Sequence, residues 1–442
     1  MRLHRIAVAL LSGAMLVPVP TSAQLTYQLG STTLLIDEVM DSSRVNIPWE
    51  ILWGPDDRLW MTDGPLITRW DPVTDAIDTL IDRGHGNGMG MALHPDFPAT
   101  PWVYAVFDTC AYYASCSWSE VLRFTYDPLN DVLSDETTLT GYFHPGEHSG
   151  GRVLFDTTGC VIVTAPEFYP DPNSLGGPTL RMNPDGTAPL DNPWGDLRWT
   201  RGHRNPQGLE LLPNGALITT ELQAGGSEIN LLHAGRNYGW IEYDGVNCLN
   251  GDSCSSADYI HEPPICRFWP SVSGCGFYPH AQIPEFTNKL ITCGLWSQGL
   301  VVVSFNGDYS DATDSVHWNG GAFTQLVRNR DIAIRPDGSF YLITNDRQNA
   351  RIRWVRADGS TALHGAPVPP DALRAWPNPA QDKLFVDAPG AEPIRVVDAQ
   401  GRSVACAAQR MGDRFILDVS ALRAGVYTAH SSDAHAVRFI KR

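Results

Sequence analysis

Residues 201–240 read RGHRNPQGLELLPNGALITTELQAGGSEINLLHAGRNYGW. Two short apolar runs, 208–212 and 216–220, flank the turn sequence Pro-Asn-Gly at 213–215. An Asn-Gly pair tolerates the positive φ that a tight hairpin turn requires. The stretch therefore predicts a β-hairpin.

The same order of strand, turn and strand recurs along the chain. Copies lie at 49–63, 91–107, 152–165 and 331–345, and a degenerate copy is expected at 277–303. Propeller blades repeat with a period of roughly 40 to 50 residues or more. Six such units predict an all-β fold with a six-bladed β-propeller.

Polar residues precede four of the turns by a similar number of positions. They are His85, His148, Arg204 and Arg328. Equivalent loops of a propeller meet around its central axis, so we expect these four residues to converge at one mouth. The polar cluster 203–205 is expected to face water or a ligand.

The composition supports this class and excludes one kind of partner. The 442 residues include 40 Gly and 33 Pro, and 18% of them are charged, which is typical of a turn-rich β protein. The net charge of -17 argues against a nucleic-acid partner, because phosphate binding needs clustered Lys and Arg. A site for an anionic ligand must then be built from local positive charge.

The N-terminal residues 1–23 have the pattern of an export signal. Arg2 and Arg5 precede an apolar run, and small residues follow near Ala23. No later segment is apolar enough to span a membrane. The absence of a Cys soon after this signal disfavours a lipoprotein anchor.

The cysteine content fits an oxidising compartment, and disulfides are favoured over zinc because no metal-site spacing appears. There are 9 cysteines, so at least one is left over. Three pairs are close enough in sequence to close short loops, although the sequence leaves the pairing open: Cys110 with Cys116, Cys248 with Cys254, and Cys266 with Cys275.

The composition changes after a Pro-rich linker at 364–373. Residues 374–442 contain WPNPAQDKLFVDAPG, IRVVDAQGRSV and RFILDVSALRAGVYTAH, short alternating strands that predict a small β-sandwich. These segments resemble the C-terminal sorting domain of the type IX secretion system. The resemblance implies export through the periplasm, with the type IX machinery as a partner and secretion or surface attachment as the outcome; an ordinary carbohydrate-binding or fibronectin-like sandwich stays open.

The preceding region, 24–363, also resembles a known family. GMGMALHPDF at 88–97, EHSGGRVL at 147–154 and HRNPQGL at 203–209 are similar to segments of the glucose/sorbosone dehydrogenase family, with the similarity running over about 45–355. Members of that family oxidise the C1 hydroxyl of an aldose to a lactone. The resemblance implies pyrroloquinoline quinone (PQQ) and Ca²⁺ as cofactors, a sugar substrate and an external electron acceptor.

The resemblance also assigns roles to residues. His148 matches the catalytic base, Arg204 and Asn205 match residues that hold the quinone, and Arg328 and Arg330 match an arginine pair near the cofactor carboxylates. A planar guanidinium suits this task because it donates two parallel hydrogen bonds to a carboxylate. Pairing of these arginines with Asp331 or Glu221 is the alternative.

Three departures from the family pattern bear on the cofactors. His85 stands where the family has Gln, and Trp296 replaces a Lys that contacts the cofactor; both are kept as cofactor-binding candidates. The calcium loop 221–228 is one residue short and lacks Gly-Pro. Backbone carbonyls depend little on side chains, so Gln223 and Ala224 are the expected metal ligands.

Two other function classes stay open. One is a propeller that has lost PQQ and acts as a binding or cell-surface interaction module. The other is a calcium-dependent lactonase, which would need a cluster of Glu, Asn and Asp ligands at the inner strand ends.

Overall fold

The structure is a computed structural model that describes residues 24–109, 118–144, 148–167, 177–223, 225–240, 242–248, 261–295, 299–320, 328–346, 349–359, 373–377, 380–388, 394–398, 402–411, 414–431 and 436–441. Every regular secondary-structure element within these ranges is a β-strand, so the predicted all-β class is confirmed for them. A search of the same ranges for a helix able to span a membrane finds none. The predicted signal at 1–23 lies outside these ranges.

The described residues from 25 to 357 form six main sheets in which neighbouring strands are antiparallel. The chain begins with β1 (Leu25–Leu29) and β2 (Thr32–Met40), which belong to the last sheet. Sheet 1 contains β3 (Pro48–Trp53), β4 (Leu59–Asp63), β5 (Leu66–Trp70) and β6 (Ile77–Asp82). Sheet 2 contains β7 (Asn87–Leu93), β8 (Trp102–Asp108), β9 (Trp118–Asp127) and β10 (Val132–Phe143). Sheet 3 contains β11 (Val153–Phe155), β12 (Val161–Thr164) and β13 (Thr179–Met182).

The second half of this region continues the series. Sheet 4 contains β14 (Pro206–Leu211), β15 (Leu217–Gln223), β16 (Gly226–Leu232) and, after the small hairpin β17 (Tyr243–Asp244) and β18 (Asn247–Cys248), β19 (Cys266–Phe268). Sheet 5 contains β20 (Val272–Tyr278), β21 (Lys289–Gly294), β22 (Leu300–Phe305) and β23 (Ala312–Trp318). Sheet 6 contains β24 (Asn329–Ile334), β25 (Phe340–Thr344) and β26 (Arg351–Ala357), extended by β2 and β1. Pairing of β2 with β26 therefore joins the two ends of the region.

The hairpin predicted from the Asn-Gly turn is confirmed. β14 pairs with β15, and the amide of Leu212 donates to the carbonyl of Ala216 at 2.8 Å across the turn. Gly215 has a φ of 85°, the conformation for which glycine was expected. The other predicted repeats also fold as hairpins of neighbouring strands.

The first strand of each sheet faces the first strands of its neighbours. These inner strands are β3, β7, β11, β14, β20 and β24. Each contacts the next one, and β24 contacts β3. One cavity of about 370 Å³ is lined by residues from, or directly before, all six inner strands.

Apolar side chains fill the space between consecutive sheets. Sheets 1 and 6 share a cluster around Met61, Trp70 and Trp354, and sheets 5 and 6 share another around Phe286 and Phe340. Similar clusters lie between each of the other neighbouring pairs. Complete burial of one large apolar side chain contributes about 1.5–3 kcal/mol, so these interfaces hold the sheets together.

The C-terminal residues form two further sheets. One contains β27 (Arg374–Trp376), β28 (Lys383–Asp387), β31 (Ala407–Met411) and β32 (Arg414–Asp418). The other contains β29 (Arg395–Asp398), β30 (Ser403–Val404), β33 (Gly425–His430) and β34 (Ala436–Lys441). Residues of both sheets share one core, while Trp376 and Phe385 join the cluster between sheets 1 and 2.

The predicted disulfide between Cys266 and Cys275 is wrong, since both thiols are free. Cys266 lies on the outermost strand of sheet 4, whereas Cys275 lies on an inner strand and lines the central cavity. Closeness along the chain therefore did not bring the two sulfurs together. The other two pairs include residues outside the described ranges and stay predictions.

Candidate functional site

The beginnings of three inner strands, β14, β20 and β24, lie side by side. Gln207, Ser273 and Arg330 are each the second residue of an inner strand, and Arg330 Nη1 donates both to Gln207 Oε1 and, at 3.1 Å, to Ser273 Oγ. A second contact joins β7 to the segment before β11: the amide of Gly90 donates to the carbonyl of Gly151 at 2.8 Å. We call the loops that lead into the inner strands the mouth.

His148 lies at this mouth, five residues before β11. Its Nδ1 is 2.6 Å from Oε1 of Glu167, and both side chains are mostly buried. A carboxylate only accepts hydrogen bonds, so Nδ1 carries the proton and Nε2 of a neutral His148 has a free lone pair. The pair is thus arranged to present His148 as a base.

Glu167 also ties His148 to Arg204. The amide of Glu167 donates to the carbonyl of Arg204 at 2.9 Å. The structure therefore brings together His148 and Arg204, as the repeat predicted. Glu167 was missed by the sequence reasoning because it lies at the end of a different segment, 19 residues after His148.

The guanidinium of Arg204 is held by the backbone of sheet 4 and lies near an indole ring. Nη1 donates to the carbonyl of Leu222 at 3.1 Å, and the group lies 5.1 Å from the ring centroid of Trp240. Among the described residues, the buried Nε of Arg204 and the buried Nε1 of Trp240 have no hydrogen-bond acceptor. An unsatisfied buried donor costs about 1–3 kcal/mol, so a ligand that brought acceptor oxygens to these two groups would be stabilised by them.

The expectation that the whole cluster 203–205 faces water or a ligand is wrong for His203. This side chain is fully buried, with its ring stacked on Tyr238 at 4.4 Å. Its Nδ1 contacts Glu221 at 2.9 Å and its Nε2 contacts Thr200 at 2.9 Å. Both ring nitrogens have hydrogen-bond partners inside the protein, so this polar side chain can be buried without an unsatisfied donor or acceptor.

Glu221 also fixes the backbone of the next residue. It accepts the amide of Arg204 and the side-chain amides of Gln223, at 3.1 Å, and Asn230, at 3.2 Å. Glu221 therefore pairs with the main chain of Arg204 rather than with its guanidinium. Likewise, Asp331 forms an ion pair with Arg152.

Asn205 and Arg330 are connected by one side chain. Gln207 donates from Nε2 to Asn205 Oδ1 at 3.0 Å and accepts from Arg330 through Oε1. All three side chains are buried. Gln207 was not among the predicted site residues, although HRNPQGL contains it, because its role depends on sheets 5 and 6 lying alongside.

Arg328 precedes Arg330 with a positive φ of 56°. The carbonyl of Arg328 accepts the amide of Asn345 at 3.3 Å, and Oδ1 of Asn345 is 3.4 Å from Arg330 Nη2. Asn345 therefore contacts both arginines, through the main chain of Arg328 and the side chain of Arg330. Positive φ is uncommon for a residue with a side chain and marks a backbone held by its surroundings.

His85 also precedes an inner strand, but its side chain is exposed and its Nδ1 lies 2.9 Å from the carbonyl of Arg83 in its own loop. The predicted residues Trp296 and Ala224 lie outside the described ranges. The hydrogen bond of the His85 ring thus stays within its own loop.

The predicted calcium loop is a tight connection between β15 and β16. Gln223 is buried and pairs in register with Gly226. Glu221 lies opposite Glu228 across the hairpin, and burial together with Glu221 raises the pKa of Glu228 to about 7. In the described part of the chain, no group of three or more His, Cys, Asp and Glu side chains has the arrangement of a metal site.

Comparison with known proteins follows the same division of the chain. The sequence model of the glucose/sorbosone dehydrogenase family matches residues 45–354, and that of the secretion system C-terminal sorting domain matches residues 374–441. Aldose sugar dehydrogenase YliI of Escherichia coli is 27% identical over 349 residues, which cover 69% of this chain and 88% of the relative. Quinoprotein glucose dehydrogenase B of Acinetobacter calcoaceticus is 30% identical over 301 residues, which cover 57% of this chain and 63% of the relative.

The fold is also similar to solved structures. The PQQ-bound aldose sugar dehydrogenase of Streptomyces coelicolor superposes with a TM-score of 0.59 at 24% identity, covering 74% of this chain and 98% of the other. This similarity supports a propeller architecture. The sorting domain indicates that the chain is exported, either to the cell surface or into the medium.

Proposed function

The chain belongs to the glucose/sorbosone dehydrogenase family, and we propose that it is an exported PQQ- and Ca²⁺-dependent sugar dehydrogenase that oxidises the C1 hydroxyl of an aldose to a lactone. The observation that carries this proposal is the joining of His148 and Arg204 through Glu167 at the mouth. A base and a cation for an anionic cofactor are thus neighbours.

The proposed architecture is a six-bladed propeller over residues 24–363, a linker at 364–373 and a sorting β-sandwich at 374–442. Contacts among the six inner strands, including that between β24 and β3, support the blade number. The core shared by the two C-terminal sheets supports the sandwich.

The residues present at the mouth fit PQQ, which is a tricarboxylate ortho-quinone. The buried Nε of Arg204 and Nε1 of Trp240 are donors in need of acceptors, and carboxylate or quinone oxygens are acceptors. Asn205, Arg328 and Arg330 would hold the same group from the neighbouring inner strands. The carbonyls of Gln223 and Ala224 would bind Ca²⁺. His85 and Trp296 are proposed to contribute to the wall of the cofactor site.

When bound, PQQ supplies the acceptor for the two electrons removed from the sugar. His148 supplies the base: its Nε2 takes the proton of the C1 hydroxyl as the hydride leaves carbon. Glu167 holds the opposite nitrogen and stabilises the imidazolium that results. A base positioned in this way contributes about 10²- to 10⁴-fold to the rate.

The second candidate is a propeller that binds a partner at the cell surface without redox chemistry. The exposure of His85 and its contact with Arg83 favour it, because a position expected at the cofactor has its contact elsewhere. The lactonase is not proposed, since the described residues show no cluster of acidic metal ligands.

The test uses the purified mature protein with PQQ, Ca²⁺, a panel of aldoses and an artificial electron acceptor. We expect turnover that falls at least 100-fold in His148→Gln, in line with the loss of a general base, about 10²-fold or more. His280→Gln is the matched control, because His280 follows the opposite end of an inner strand. Sugar binding without turnover and without stoichiometric PQQ binding would support the second candidate and exclude the first.

A further inference from the structure

Arg152 is a buried residue that the proposed chemistry does not use. It lies directly before β11 and is only 3% exposed. Its Nε donates to the carbonyl of Gln207 at 2.6 Å, and its Nη2 donates to the carbonyl of Arg330 at 3.1 Å. Its Nη1 lies 2.5 Å from Glu50 Oε2 and 2.9 Å from Asp331 Oδ1.

These partners come from different sheets. Gln207 belongs to sheet 4, Glu50 to sheet 1, and Arg330 and Asp331 to sheet 6, while Arg152 itself leads into sheet 3. One guanidinium therefore bridges four of the six inner strands. A planar group with five donors is suited to such a contact, since Lys has the same charge but no fixed fork.

The remaining two inner strands approach Arg152 at glycines. A Cβ on Gly274 of β20 would lie 2.5 Å from Arg152 Nη2, and a Cβ on Gly90 of β7 would lie 2.7 Å from Arg152 Cα. Both distances are shorter than real Cβ contacts allow. All six inner strands thus meet at Arg152: β20 approaches its guanidinium and β7 approaches its Cα, and both do so at a residue that lacks a Cβ.

Arg152 contacts the main chain of two residues, Gln207 and Arg330, whose side chains belong to the proposed cofactor site or contact it. It fixes the carbonyls of Gln207 and Arg330, whose side chains bond each other and reach Asn205. The ring of Trp49 is close to both arginines, with centroid distances of 4.2 Å to the Arg152 guanidinium and 5.5 Å to that of Arg330. The network therefore links Arg152 to the side chains of Gln207, Arg330 and Asn205.

We propose that Arg152 is a positioning residue for the cofactor site, holding the backbones of Gln207 and Arg330 so that Asn205 and Arg330 are presented to the ligand in one fixed geometry. This inference rests on the proposed function, which supplies the ligand. It goes beyond that function because it assigns Arg152 a role that is exerted only through its neighbours.

The charges around Arg152 are consistent with a permanent anchor. Its guanidinium faces the carboxyl groups of Glu50 and Asp331, and burial raises the pKa of both acids in spite of this cation. Arg330 contributes a second cation near the same Trp49 ring, and the cavity wall adds Glu210 and Cys275. Removal of the guanidinium would leave two buried acids without their partner, whereas Arg→Lys keeps the charge and removes the fork.

The test compares two Arg→Lys variants of the full chain. Arg152→Lys loses the bonds to the Gln207 and Arg330 carbonyls. Arg69→Lys is the matched control: Arg69 is equally buried and is paired with Asp56 at 3.1 Å, but it belongs to β5, a non-inner strand of sheet 1. Glu50→Gln is a milder second variant that keeps the side-chain shape and leaves the two carbonyl contacts in place.

The first readout is PQQ affinity in the presence of Ca²⁺, measured by calorimetric titration alongside the melting temperature. We expect Arg152→Lys to raise the Kd at least tenfold, equivalent to about 1.4 kcal/mol, and Glu50→Gln to raise it less. Arg69→Lys should keep the wild-type Kd within twofold, even though it also lowers the melting temperature. Wild-type affinity in Arg152→Lys, or an equal loss in Arg69→Lys, would overturn the proposal.

The second readout needs no cofactor. Hydrogen exchange followed by mass spectrometry should be faster in Arg152→Lys at residues 205–209 and 328–332, and unchanged there in Arg69→Lys. Failure of the wild-type protein to bind PQQ would refute the proposed function, and this exchange measurement would then decide the role of Arg152 alone. Unchanged exchange in both segments would refute the positioning role.

Discussion

The carboxylate of Glu167 decides which nitrogen of His148 is available for chemistry. We predict that Glu167→Gln lowers kcat by about 10²- to 10⁴-fold with little change in KM, because an amide no longer selects one tautomer of the ring or stabilises its charged form. Steady-state kinetics with a saturating artificial acceptor would measure this. Glu167→Asp keeps the carboxylate and should retain more activity than the amide variant; equal kcat in wild type and Glu167→Gln would contradict the assignment.

Glu210 gives the protein a pH-dependent stability. Burial raises the pKa of its carboxyl from 4.5 to about 7, although the amides of Leu211 and Phe277 donate to it at 2.9 and 3.2 Å. An acid whose pKa is raised on folding stabilises the fold fully below its unfolded pKa, and this contribution is lost as the pH rises through about 7. We therefore predict that the melting temperature of the wild type falls more between about pH 5 and 8 than that of Glu210→Gln.

Thermal unfolding followed over that pH range would test this. Glu285→Gln is the control, because hydrogen bonding with Thr32 and Ser31 lowers the pKa of Glu285, so that this acid contributes stability above its unfolded pKa instead. The Glu285 variant should keep the wild-type slope. Parallel curves for wild type and Glu210→Gln would show that this carboxyl does not titrate as described.

At the scale of strands, glycine permits the close approach of neighbouring inner strands. A Cβ on Gly90 would lie 2.1 Å from the carbonyl oxygen of Gly151, which is backbone and cannot rotate away. We predict that Gly90→Ala destabilises the protein by about 1–3 kcal/mol or more, as overpacking does. Gly307→Ala is the control, since no atom lies within 4 Å of its Cβ position; chemical denaturation would compare the two, and equal stabilities would contradict the packing argument.

The hairpins were the most predictable elements. Asn214 and Gly215 specify a local turn, and the strands on either side pair with each other, so the information lies within a few residues. The repeat then placed His148 and Arg204 at neighbouring loops.

The supporting side chains could not be predicted in the same way. Glu167, Gln207 and Arg152 act across sheets, and their partners depend on which strands are innermost and on the level at which each one begins. The mistaken pairing of Cys266 with Cys275 has the same origin. Spacing along the chain measures neither radial position nor the sheet to which a residue belongs.

At the scale of the whole molecule, the C-terminal module is packed against the propeller. Trp376 is 2% exposed and stacks on Phe385 at 4.7 Å, and both rings belong to the cluster between sheets 1 and 2. Arg414 lies 5.0 Å from the Trp376 ring and donates to the carbonyl of Pro128 at 2.5 Å. The two modules thus share an apolar contact and a hydrogen bond.

We predict that Trp376→Ala uncouples the two modules, because truncation of a buried Trp costs about 3–5 kcal/mol and opens the shared cluster. Calorimetry should show one transition in the wild type and two in the variant, and limited proteolysis should cut near residues 364–373 more rapidly. Trp269→Ala is the control, since this ring is 82% exposed and its removal opens no core. A single transition at the wild-type temperature in Trp376→Ala would mean that the contact of this ring with sheets 1 and 2 carries no stability, and it would contradict the prediction.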